Sequence, residues 1–142
     1  MLASWDTSEK LENWNGITVW KTKDERNGRV RSAEFTMFRT TEPIPYQVKY
    51  LTEAEELFFY GNSNTFLLGD LDCGQHICEL KQLRKLTIGA YGLNSLHEDF
   101  KNLANLEYLN LESNNFQTIP AILNEEAFPK LTALILNANT RY

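Results

Sequence analysis

Three six-residue segments in the second half of this 142-residue chain carry apolar side chains at the same places. Leu83-Arg84-Lys85-Leu86-Thr87-Ile88, Leu106-Glu107-Tyr108-Leu109-Asn110-Leu111 and Leu131-Thr132-Ala133-Leu134-Ile135-Leu136 all have them at positions 1, 4 and 6. Their first residues stand 23 and 25 apart. A spacing of this kind marks stacked copies of one supersecondary unit, none of which can bury its apolar side alone. Two weaker copies lie upstream, beginning at Val30 and Ala54. The ninth position holds Asn62, Asn114 and Asn139 in three copies. A buried amide there can pair peptide groups that a sharp turn leaves without partners. Phe38 and Tyr91 stand at the ninth position of the other two copies, so those turns need another source of hydrogen bonds.

These intervals predict an α/β solenoid, with one short strand per repeat stacked in parallel into a curved sheet. The sheet forms the concave side, and short helices and loops return along the convex side. Residues 94–103 read as one such return, with Leu96, Phe100 and Leu103 on one face of a helical turn. Residues 118–123 read similarly, Pro120 being tolerated in a first turn. The 29 residues from Ala54 to Leu83 exceed the other intervals, and the surplus falls around Cys73 and Cys78.

Residues 83–142 resemble the leucine-rich-repeat superfamily: Leu83 to Leu93 and Leu106 to Phe116 fit its pattern of Leu at 1, 4 and 6 and an apolar residue at 11. The N-terminus is similar to the cap of plant-type repeat proteins and their bacterial relatives. The matching segments are Leu2-Ala3-Ser4-Trp5, Trp14-Asn15-Gly16-Ile17 and Gly28-Arg29-Val30. No Cys lies near Ile17, so the cysteine-free bacterial form is the better match. The resemblance implies a cap over 1–29 and about four to five repeats over 30–142, the last incomplete. A stack of repeats exposes an apolar end that must be covered. Trp5, Trp14, Ile17 and Trp20 suit that lid; tryptophans can also stack on sugar rings, but their place at the solenoid's end favours the lid.

Charge and composition narrow the functional classes. The formal net charge of −5 argues against a nucleic-acid partner, which is gripped by clustered Lys and Arg. No apolar run is long enough to span a membrane. Residues Met1 to Asp6 lack a signal-peptide pattern, which leaves a cytoplasmic protein or a processed, secreted or cell-surface one. Cys73 and Cys78 do not make a disulfide framework; reduced thiols, a local loop disulfide and, least favoured, a metal site with His76 stay open. The apolar last strand, 131–136, offers a free edge that invites self-association or continuation in a longer protein.

Positions between the core-facing ones point to the concave surface. There Phe58, Tyr60, Lys85, Tyr108, Asn110 and Glu112 are the candidate binding residues, the aromatics as anchors. No catalytic constellation or cofactor motif emerges: His76 and His97 are the only histidines, and no nucleophile elbow, zinc-protease motif or phosphate loop is present. The expectation is a non-enzymatic module that recognises an unknown protein, or another macromolecule, through the concave sheet face. The alternative is a structural or regulatory segment of a larger, multidomain and even enzymatic protein.

Overall fold

The computed structural model describes residues 8–38, 44–61 and 75–139. Six strands form one sheet in chain order: β1 (Ile17–Val19), β2 (Val30–Phe38), β3 (Glu56–Gly61), β4 (Lys85–Gly89), β5 (Tyr108–Asn110) and β6 (Ala133–Ile135). β1 runs antiparallel to β2, and every later pair is parallel. The register aligns the repeats: Ala33, Leu57, Leu86, Leu109 and Leu134 form one row across the sheet. This is a solenoid of stacked repeats.

Position 4 holds the centre of the core. Ala33 is buried, and Leu57, Leu86 and Leu109 are fully so. Leu134 departs from the expected pattern: it stays 36 % exposed, because among the described residues no repeat packs on the far side of β6. A carbonyl at position 2 bridges each pair of repeats. Glu55 O accepts from Arg84 N and Lys85 N, Arg84 O from Glu107 N and Tyr108 N, and Glu107 O from Thr132 N and Ala133 N.

On the convex side the expected short helices are of 3₁₀ form. Among the described residues the returns contain 3₁₀ turns and no α-helix: Tyr46–Tyr50, Ile77–Glu79 and Glu98–Asn102. Each passes into the next strand through successive i→i+3 bonds, such as Phe100 N to His97 O, Leu103 N to Phe100 O and Leu106 N to Leu103 O, each 3.0 Å. Three residues per turn puts every third side chain inward. The buried face is therefore Phe100, Leu103 and Leu106, with Leu96 only half-buried at its flank. The same period buries Val48 and Ala54, and Ile77, Leu80 and Leu83. His97, read from sequence as solvated surface, caps its turn by accepting from Asp99 N at Nδ1. Residues 118–123 form no helix. One bond from Leu123 N to Pro120 O closes a turn, and Asn124 then takes the neighbouring backbone, donating to Ala121 O and accepting from Ala127 N. A side-chain amide that competes for backbone partners stops a helix from extending.

Ala90, Ser113 and Ala138 occupy position 8 of their repeats with left-handed φ of 56°, 57° and 54°. The strand thus ends in the same sharp turn each time. That region costs a non-glycine residue roughly 1–2 kcal/mol, against about 0.5–1 kcal/mol of extra chain entropy lost by glycine. Ala90→Gly should accordingly stabilise the fold by about 0.5–1 kcal/mol, read as a raised urea midpoint at constant slope.

At the N-terminal end, β1 covers the first repeat. Trp14, Ile17 and Trp20 are half-buried there; Trp5 lies outside the described residues. The Trp20 indole donates to Glu53 O at 2.9 Å, and the guanidinium groups of Arg26 and Arg31 lie 4.5 and 5.1 Å from its ring centre. Trp20 is thus tied to the chain entering the second repeat. Gly16, at φ 77°, lies so close to β2 that a Cβ would sit 2.9 Å from Glu34 O.

Candidate functional site

Five parallel strands present three rows of side chains on the concave face. The first row is Ser32, Glu56, Lys85, Tyr108 and Ala133; the second is Glu34, Phe58, Thr87, Asn110 and Ile135. The third contains Thr36, Tyr60 and Gly89, with Glu112 beyond the end of β5. The sheet brings all six sequence-predicted residues onto this face, but not to equal depth. Phe58, Tyr60, Tyr108 and Glu112 are half-buried and Lys85 is exposed.

Asn110 requires correction as a contact residue. It is only 4 % exposed, and its Oδ1 accepts from Glu112 N at 2.9 Å. Its amide therefore shapes the chain that carries Glu112. Thr87, beside it in the same row, is 1 % exposed. Short side chains between longer ones on neighbouring strands form a floor, whereas strand alternation alone treats every outward position as surface.

Tyr60 and Glu112 come together because Gly89 leaves room. A Cβ at Gly89 would stand 2.9 and 3.0 Å from Tyr60 Cε1 and Cδ1. Its absence lets the ring lie across β4, so that the Tyr60 hydroxyl donates to Glu112 Oε1 at 3.3 Å. Burial first, and then the neighbouring Glu112 charge, raise the Tyr60 phenol above its ordinary pKa, so it is held as a neutral donor.

Charges along one margin are largely internal. Arg31 meets Glu55 at 3.5 Å, Arg84 holds Glu107 in a two-point contact of 2.9 and 3.0 Å, and Lys85 reaches Glu56 at 3.1 Å. These exposed pairs lie between neighbouring repeats and align them more than they stabilise them.

Beneath the face, asparagines stitch each turn to its predecessor. Asn114, 1 % exposed, accepts at Oδ1 from Tyr91 N and Leu93 N of the preceding repeat. Its Nδ2 donates to Ile88 O at 2.6 Å and to Leu111 O at 2.9 Å. Asn139 repeats the arrangement, accepting from Phe116 N and donating to Leu111 O and Leu136 O. The turn at Tyr91, which lacks its own ninth-position Asn, is thereby served by the next repeat. Asn62 and Cys73 lie outside the described residues; Cys78 is buried, and His76 packs edge-on against Tyr46.

Among the described residues, no three His, Cys, Asp or Glu side chains gather as metal ligands, and no helix is long and apolar enough to cross a membrane. Comparison with known proteins finds no matching family model and no matching curated protein. Solved structures do match. A crystal structure of a plant ice-binding protein superposes on 95 % of this chain with a TM-score of 0.71 at 24 % identity; this chain spans 41 % of that protein's length. A leucine-rich-repeat protein of Leptospira interrogans matches 75 % of this chain and 31 % of its own, with a TM-score of 0.48 and 19 % identity. The first of these shows that this chain shares its fold with a known, longer solenoid.

Proposed function

We propose that this chain is a leucine-rich-repeat module that recognises a protein partner through its concave sheet face and carries out no catalysis itself. The observation that carries this reading is the face itself: Phe58, Tyr60 and Tyr108 stand half-buried on one continuous five-stranded surface, over a floor of buried Thr87 and Asn110. Aromatic groups held rigidly above a desolvated floor are the usual anchors of protein recognition. The leucine-rich assignment is supported by the 23- and 25-residue spacing, the position-8 turns and the asparagine stitching.

The ice-binding neighbour lends the fold and not its ligand. A crystal surface is periodic, and recognising one calls for a side chain repeated from strand to strand. No residue type recurs within the rows of this face.

If the face binds a partner, Tyr108→Ala should weaken the complex by more than about 1 kcal/mol, measured by titrating the partner isolated from the native source. An unchanged affinity would remove Tyr108 from the interface.

A further inference from the structure

Internal pairing uses up only part of the charge on the concave face. Arg31, Glu55, Arg84 and Glu107 pair along the margin, and Lys85 pairs with Glu56. Two carboxylates are left over. Glu34 is exposed on β2, in register with Phe58, and it meets no cationic side chain among the described residues. Glu112 likewise has no cationic neighbour there and receives the Tyr60 hydroxyl. Between these carboxylates lie the rings of Phe58 and Tyr60, the latter packed against Gly89.

A ring beside an unpaired carboxylate is complementary to a guanidinium or ammonium group. The ring's negative face attracts the cation, and the carboxylate accepts a charge-assisted hydrogen bond from it. Glu34 and Glu112 are three strand spacings apart, on the order of 15 Å. An extended chain rises about 3.3 Å per residue, so side chains roughly four residues apart on one side of it match that separation. We propose that the partner presents an extended basic segment, laid across the strands, with arginine or lysine side chains at i and i+4 reaching Glu34 and Glu112 past Phe58 and Tyr60. This deepens, and rests on, the reading of the concave face as the binding surface.

The probe is an acetylated, amidated octapeptide of alternating arginine and threonine, with its glutamate-threonine counterpart as comparator, titrated by NMR at 0.05 and 0.15 M salt. Binding of the arginine peptide alone is expected, with shifts confined to β2–β5. Glu34→Gln/Glu112→Gln should weaken it at least ten-fold. Glu125→Gln/Glu126→Gln removes the same charge from exposed positions outside the sheet and should change it less than two-fold. No binding to the unaltered chain at millimolar peptide, or equal losses in the two variants, overturns the proposal. The isolated partner separates the two levels of inference. If Tyr108→Ala weakens its binding and Glu34→Gln/Glu112→Gln does not, the concave site stands and the basic segment falls. If neither substitution matters, both fall.

Discussion

Asn114→Ala should lower the stability of the fold by about 3–5 kcal/mol. The side chain is buried, and its amide reaches five backbone groups in two repeats. Alanine leaves Tyr91 N, Leu93 N and Ile88 O without this partner, whereas Leu111 O keeps its bond from Asn139 and Glu112 O its bond from Ala90 N. A buried peptide group deprived of its hydrogen bond costs about 1–3 kcal/mol. Three of them consume a large share of the roughly 5–15 kcal/mol that a domain has in total. Urea unfolding should show a much lower midpoint with little change in slope. Asn115→Ala is the control: Asn115 is exposed, and its bond to Leu93 O comes from the main chain, which alanine retains. A loss below about 1 kcal/mol for Asn114→Ala would mean that water replaces the amide.

Gly89→Val should cost about 2 kcal/mol and dismantle the Tyr60–Glu112 contact. By strand preference alone valine is the better residue, so the sign of the effect tests the local geometry. The new Cβ would meet Tyr60 at 2.9 Å and Glu112 Cγ at 3.7 Å. Overpacking of this kind typically costs 1–3 kcal/mol, and here the Tyr60 ring must swing away from β4. The same movement rehydrates the phenol and separates it from Glu112, the largest causes of its raised pKa. Its ionisation should therefore move to lower pH, toward the ordinary tyrosine value, in an ultraviolet difference titration. Gly89→Val with wild-type stability and an unmoved Tyr60 titration would show that the ring does not depend on this gap.

The strands and their register were legible in the sequence because the 1, 4, 6 pattern at a near-constant spacing leaves little freedom. Asn114 and Asn139 were legible as turn residues, but not the direction of their bonds, since nothing in the spacing says that an amide serves the repeat before it. The 3₁₀ returns were written in the triplets Val48-Leu51-Ala54, Ile77-Leu80-Leu83 and Phe100-Leu103-Leu106. A template of period 3.6 overlooked them. The left-handed turns escaped because Ala90, Ser113 and Ala138 stand where glycine would have signalled them. In the candidate site, alternation gave the direction of each side chain but not its depth. Thr87 and Asn110 sink among longer side chains such as Phe58 and Ile135, and Tyr60 packs against β4 because the register places Gly89 beside it.

The backward reach of the asparagines has a consequence for how such a chain matures as it is made. A repeat leaving the ribosome has its strand and its apolar side chains, but some of the amide bonds that hold its turn come from the repeat still to come. With repeats of 23 and 25 residues and synthesis at about 5–20 residues per second, those bonds wait roughly one to five seconds for their partner. These bonds can therefore form only at a distance of one repeat behind translation.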